Sequence, residues 1–326
     1  MKDLVQNFTQ QLRESKAIAE KAIISDHKNI QSILITGLGG SGIGGTIVSE
    51  LVADSCKVPV IVNKDYFLPA FVNETTLVII SSYSGNTEET LSAMQEAISR
   101  KAQIIAITSG GKILQLAKQH QFDFIEIPGG QPPRSCIGYS LIQLIKVFVS
   151  TGFAKPSLFS DLEKAIQLLD HENGAIKTEA KQISEKLLNK IAVLYSLGTC
   201  EGTVVRFRQQ INENSKMLCW HNTLPEMNHN ELVGWTTRNE NLVVMAFHTS
   251  FDYERTKKRY AVCRPIFEKY SNGVIDITAK GTSKLEQFLY LIHLGDWISC
   301  YLADLKGIDP VEVNVIDLLK GELAKF

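Results

Sequence analysis

Charge of one sign is what this chain has least of. Its 34 lysines and arginines face 35 aspartates and glutamates, leaving a net charge of −1 with neutral histidines. There is no basic field for nucleic acid and no polybasic patch for a membrane surface. Paired cysteines are missing too. The six cysteines (Cys56, Cys136, Cys200, Cys219, Cys263 and Cys300) are scattered singly, with no Cys-x-x-Cys pair and no zinc-ligand spacing to histidine. That argues against a disulfide framework and a structural zinc site, and fits a reducing compartment. No apolar stretch approaches the roughly 20 residues a membrane-spanning helix needs. The opening segment carries Asp3, Arg13, Glu14 and Lys16, so it does not read as a secretory signal. The expectation is a cytoplasmic, soluble protein of one large or two ordinary domains, with no metal and no nucleic-acid or membrane partner.

What the chain does have is glycine and serine in two loops. The first is Gly37-Leu38-Gly39-Gly40-Ser41-Gly42-Ile43-Gly44-Gly45, and the second is Ser81-Ser82-Tyr83-Ser84-Gly85-Asn86-Thr87. Each follows a short apolar run that reads as a buried strand, Ser32–Thr36 and Thr76–Ile80, and each precedes a helical pattern. A strand, a glycine turn and a helix start point unpaired backbone N–H groups at one spot, with the helix dipole behind them. Serine and threonine hydroxyls add donors. Two such loops point to a small anionic ligand such as a phosphate ester.

The rest of the chain alternates. After one helix over Leu4–Ile24, strands are expected at Ser32–Thr36, Pro59–Val62, Thr76–Ile80, Gln103–Thr108 and Phe122–Ile127. Helices fit at Ile43–Asp54, Thr87–Arg100, Lys112–His120 and Ser140–Val149. Such alternation predicts a parallel, doubly wound α/β sheet that binds ligands beyond the carboxyl ends of its strands. A linker over 151–157 leads to a polar helix, Asp161–Asn189. The alternation then restarts with strands Ile191–Ser196, Asn241–Phe247 and Val274–Thr278 and helices Thr203–Leu218, Lys284–Leu305 and Ile316–Ala324. Two related subdomains follow, 1–153 with the phosphate loops and 154–326 without the serine-rich one.

Gly37-x-Gly39-x-x-Gly42 after a strand also fits a dinucleotide fingerprint. That reading needs an acidic residue at the end of the second strand, where only the displaced Asp65 stands, and it gives the serine-rich loop no task. A tight turn without a ligand is the other alternative. Further on, the segment Arg206–Lys216 is poor in apolar residues, and its blander interpretation is a solvated helix face. Next to it, Pro225-Glu226-Met227-Asn228-His229-Asn230-Glu231 supplies a histidine and two carboxylates, the groups that move protons on and off carbon and oxygen. His27, His120, His171, His221 and His293 are taken as structural. The run Pro132-Pro133-Arg134 presents one guanidinium on a stiff backbone, fit to stabilise an oxyanion or simply a surface arginine on a linker.

Together these segments resemble the bifunctional phosphoglucose/phosphomannose isomerase family, a branch of the phosphoglucose isomerase superfamily built from two sugar isomerase (SIS) subdomains. The likeness rests on residues 37–45, 82–90, Pro-Pro-Arg 132–134, Glu-Asn 213–214 and Met-Asn-His-Asn-Glu 227–231, in that order along the whole chain. The resemblance implies that Gly40, Ser41, Ser82, Ser84 and Thr87 hold the sugar phosphate. It implies Glu213 as the base between C1 and C2, Arg134 as stabiliser of a cis-enediolate, and His229 with Lys320 in ring opening. His229 would come from a second subunit, which implies a homodimer. The chemistry, aldose–ketose isomerisation, requires no metal or redox cofactor.

Two features depart from the family or stay open. Many members read Asp-Pro-Thr-Pro before the last helix, whereas this chain reads Asp309-Pro310-Val311-Glu312, which implies weaker turnover of mannose 6-phosphate. Lys325 is the alternative to Lys320. A sugar-phosphate-sensing SIS protein and another SIS sugar-phosphate isomerase are the rival functions. The sensor would have no need for Glu213, His229 and Arg134 together.

Overall fold

The computed structural model describes residues 1–325. Two short helices, α1 (Lys2–Gln6) and α2 (Phe8–Lys21), lead into β1 (Ser32–Thr36), α3 (Gly39–Val52), β2 (Val60–Asn63), β3 (Thr76–Ser82), α4 (Glu88–Ser99), β4 (Gln103–Thr108), α5 (Gly111–His120) and β5 (Asp123–Glu126). A 3-10 turn at Pro133–Ser135 opens α6 (Ile137–Ser150), and α7 (Ser157–Leu187) crosses to the second half. There β6 (Ile191–Ser196), α8 (Glu201–Ser215), β7 (Trp220–Thr223), β8 (Leu242–His248), α9 (Glu254–Tyr270) and β9 (Val274–Thr278) precede α10 (Lys284–Lys306) and α11 (Asn314–Leu323).

The strands make two all-parallel sheets, ordered β2-β1-β3-β4-β5 and β7-β6-β8-β9. Parallel strands covered on both faces read as continuous apolar runs, which is how β3, buried along its whole length, is written. In the first sheet the chain leaves β1 toward β2 on one side and returns to β3 on the other. The crevice between β1 and β3 is therefore the topological switch point, and both glycine–serine loops open there. The inner faces of both sheets share one apolar core with α6, α7, α8 and α10. Helix α10 lies against α7 and α8, and α3 lies against α8, so the halves meet through helices.

The structure corrects the sequence reading at five places. Helix α3 starts at Gly39, not Ile43, so most of the glycine run forms its first turns. The opening helix is two, interrupted at Asn7. Edge strand β7 and helix α9 were not expected. Helix α8 is no solvated face, since Arg206, Gln210, Asn214 and Ser215 are buried.

Glu50 of α3 sits at the junction of the halves. Its Oε1 accepts the Gly202 N–H of α8 at 2.7 Å, and its Oε2 is buried without a partner. Burial pushes its carboxyl up to about 8, partly opposed by the Gly202 N–H and Lys284 and assisted by Glu201. A group whose pKa rises on folding favours the folded chain most below its unfolded value, and that contribution is lost as pH rises toward 8. Glu50→Gln keeps an acceptor for Gly202 without the charge. It is expected to match wild type in thermal unfolding at pH 5 and to melt a few degrees higher at pH 9.

Candidate active site

The two loops are built against each other at the switch point. Ser41 Oγ, in the first turn of α3, accepts the Tyr83 N–H at 3.1 Å. Ser82 Oγ lies 3.0 Å from Thr87 Oγ1 and also accepts the Gly85 N–H at 3.2 Å. Ser84 is exposed, and its Oγ accepts the Asn86 N–H. Thr87 is the residue before α4, but its side chain does not cap that helix. Neither α3 nor α4 has a side-chain cap, so each helix start at the crevice keeps N–H groups free for a ligand, with hydroxyls beside them. Gly85 has φ +67°, and a Cβ there would lie 1.8 Å from the Gly110 carbonyl, so only glycine makes this turn. Tyr83 Oη accepts the Gln131 N–H at 3.1 Å, tying the serine loop to the segment before Arg134.

Arg134 stands next to the first loop. A Cβ on Gly40 would approach the Pro133 carbonyl to 3.2 Å, so the missing side chain lets the start of α3 pack on the Pro133–Arg134 backbone. The Arg134 side chain is 6% exposed and four groups surround it. Nε donates to Asn214 Oδ1 at 2.8 Å, and Nη2 donates to the carbonyls of Pro310 at 2.6 Å and Val311 at 2.9 Å. Nη1 faces Glu213 Oε2 at 3.5 Å. Glu213 lies in the last turn of α8 with its side chain 31% exposed, open to the crevice. Lys216, which ends α8 with a left-handed backbone, donates to the carbonyls of Glu213 and Glu312 at 2.6 and 2.7 Å. Burial pulls the Lys216 ammonium down, and the Arg134 charge adds to this while Glu312, Asp309 and Glu213 oppose it.

Seven of the candidate residues thus gather at one crevice: Gly40, Ser41, Ser82, Ser84, Thr87, Arg134 and Glu213. Two do not join them within the chain. His229 ends a 3-10 turn, Glu226–His229, beyond the second sheet, and it is exposed. Its loop is fixed by the carboxylate of Glu231, which accepts from Tyr195 Oη and, at 2.7 Å, from Asn222 Nδ2. Glu226 accepts from Asn230 Nδ2. Both carboxylates of that loop are engaged in holding it, so the pairing of histidine with a nearby free carboxylate does not occur there. Lys320 is exposed on α11, a helix with no buried residue. Lys325 pairs with Glu322 at 2.6 Å. Asp65 accepts its own neighbour's N–H, at Tyr66, and Asn63 Nδ2 donates to its carbonyl. Among the described residues no cluster of three or more His, Cys, Asp or Glu side chains could hold a metal ion, and no helix is long and apolar enough to cross a membrane.

Asn214, Lys216 and the Pro310 and Val311 carbonyls were not singled out from the sequence as parts of the site. Asn214 was visible only as half of the Glu-Asn signature. Backbone carbonyls that bind a guanidinium leave no trace in residue type.

Two parallel sheets whose paired glycine–serine loops open at one switch point define a protein of the SIS class. Residues 28–129 match the family described as SIS domain, and residues 176–323 match that described as bacterial phospho-glucose isomerase C-terminal SIS domain. The C-terminal domain of glucosamine-fructose-6-phosphate aminotransferase from Francisella tularensis shares the fold, with a TM-score of 0.76 at 13% identity over 95% of this chain and 98% of that one. A bifunctional phosphoglucose/phosphomannose isomerase from Caldicellulosiruptor bescii is 41% identical over 100% of this chain and 99% of its own. Another, from Aquifex aeolicus, is 38% identical over 93% of each. The chain belongs to the bifunctional phosphoglucose/phosphomannose isomerase family.

Proposed function

We propose that the chain interconverts fructose 6-phosphate with glucose 6-phosphate and, more slowly, with mannose 6-phosphate. The observation that carries this reading is the approach of Glu213 Oε2 to Arg134 Nη1, 3.5 Å apart, beside two phosphate-type loops. The loops and the starts of α3 and α4 bind the phosphate and so hold the distant end of the sugar. The Glu213 carboxylate takes the proton from C2 of the aldose and returns it to C1, through a cis-enediolate whose developing oxyanion faces the Arg134 guanidinium. The C2 stereochemistry is lost in the enediolate, so one base serves both aldoses. A sensor would need the loops alone, and the Glu213–Arg134 pair favours the enzyme.

His229 completes the site from a second copy of the chain and, with Lys320, opens the sugar ring. Two features support a homodimer. The His229 loop is held by hydrogen bonds to Glu231 and Glu226 while His229 itself is exposed, and α11 presents Val315, Leu318 and Leu319 with more than half of each exposed. An amphipathic helix left this open is covered by another surface. We take 1–153 as the phosphate-binding unit and 154–326 as the unit carrying Glu213 and His229, working in the cytoplasm in central sugar metabolism.

A coupled assay tests the reading: purified protein with fructose 6-phosphate and a chelator, each aldose phosphate scored separately. Both are expected, with glucose 6-phosphate ahead. Val311 is 43% exposed and its carbonyl binds Arg134, so its side chain stands beside the site. A threonine hydroxyl there adds a hydrogen bond worth about 0.5–1.5 kcal/mol, so Val311→Thr is expected to narrow the gap by at most about tenfold. For the phosphate, Thr87→Ala removes a donor to a charged group and is expected to raise KM about tenfold or more, with kcat far less changed.

A further inference from the structure

The buried face of α8 carries Arg206, Gln210 and Asn214, spaced four residues apart, where apolar residues are the rule. Arg206 Nη2 donates to both carboxylate oxygens of Asp296 on α10, at 3.0 and 2.9 Å, and to the backbone carbonyl of Arg134 at 2.9 Å. Gln210 Nε2 donates to Asp296 Oδ1 at 2.8 Å. Asn214, with no exposed surface, donates through Nδ2 to Ser299 Oγ at 2.9 Å and accepts Arg134 Nε–H at 2.8 Å. Ser299 Oγ places its own proton on the Asp296 carbonyl at 2.7 Å. The serine can therefore only accept from Asn214, so the amide nitrogen turns to Ser299 and the amide oxygen to Arg134.

We propose that Asn214 is a positioning residue that aims Arg134 at the reacting carbons, in the isomerase reading given above. Arg206 holds the Arg134 backbone and Asn214 holds Nε. The Pro310 and Val311 carbonyls hold Nη2, so Nη1 is the nitrogen that faces Glu213. A neutral acceptor fixes the guanidinium without cancelling its charge. An aspartate at 214 would grip it equally well but would place a second carboxylate beside Glu213 and weaken the field offered to an enediolate. The buried polar stripe of α8 is thus the seat of the catalytic cation.

Asn214→Leu, close in size and without an acceptor, tests this alongside the gentler Ser299→Ala, which frees the Asn214 amide to turn. Full-length variants are compared for kcat, KM and the nitrogen-15 signal of Arg134 Nε–H, assigned by its loss in Arg134→Lys. Asn214→Leu is expected to lower kcat about 30-fold or more, with KM within about threefold and the Nε–H signal lost to solvent exchange. Ser299→Ala is expected to lower kcat several-fold and broaden the same signal. Folded variants with wild-type kcat, or with an unchanged Nε–H signal, would overturn the positioning role. A wild-type protein that fails to isomerise, yet whose Nε–H signal is protected and lost in Asn214→Leu, would overturn the isomerase reading instead and leave the seat standing.

Discussion

Glu213→Gln is expected to lower kcat for fructose 6-phosphate by a factor on the order of 10²–10⁴, the usual contribution of a positioned general base. The substitution keeps the size of the side chain and an oxygen toward Arg134 Nη1, which Glu213 faces at 3.5 Å from a partly open position. Folding is expected to be unaffected, because the hold on Arg134 comes from Asn214 and the Pro310 and Val311 carbonyls. KM is expected to stay close to wild type, because the glycine–serine loops proposed to hold the phosphate are untouched. A variant that unfolds at the wild-type temperature, binds sugar phosphate and does not turn it over is the expected result. A variant within tenfold of wild type would remove Glu213 from the base role.

The second large effect is a gain. Glu213→Gln and His229→Ala are each expected to be nearly inactive alone. Unfolded together and refolded as a mixture, they are expected to recover about a quarter of wild-type activity, since half of the random dimers are mixed and each has one intact site of two. The intact site is the one with Glu213 from one chain and His229 from the other. If both residues acted within one chain, every site in the mixture would lack one of them and no activity would return. The arithmetic depends on the exposed place of His229 beyond the second sheet, away from Glu213. Lys320→Ala, on the open face of α11, is expected to complement Glu213→Gln in the same way if it too crosses to the partner.

Strands β1, β3, β4, β6 and β8 were legible because burial in a parallel sheet leaves unbroken runs of branched apolar residues. Strand β7 was not. Trp220-His221-Asn222-Thr223 is short, polar and at an edge, and it pairs with one neighbour only. Helix α9 was hidden by its charge and by Pro265, although Thr256, Tyr260, Cys263 and Phe267 form its buried line. The polar face of α8 misled for a related reason. Residue type told correctly that Arg206, Gln210 and Asn214 cost free energy to bury, but not that Asp296, Ser299 and the Arg134 carbonyl would accept from Arg206 Nη2, Gln210 Nε2 and Asn214 Nδ2. At the site, the loops, Arg134 and Glu213 could be read one by one, since glycine turns and helix starts carry local signatures. Their meeting could not, because it depends on the packing of α3, the Pro133–Ser135 turn and α8. The absence of Lys320 from that meeting was equally invisible in the pattern, whereas the family resemblance already implied that His229 comes from a second subunit.

The most direct test of the central claim is isomerisation in heavy water. Fructose 6-phosphate is incubated with the protein in deuterium oxide, with a chelator present, and the aldose phosphates are read by proton and deuterium magnetic resonance. Proton transfer through Glu213 and a cis-enediolate predicts deuterium at C2 of both glucose 6-phosphate and mannose 6-phosphate, with glucose 6-phosphate forming faster and Glu213→Gln forming neither. Aldose phosphates formed at the wild-type rate by Glu213→Gln, or no aldose phosphate from the wild-type protein, would contradict it.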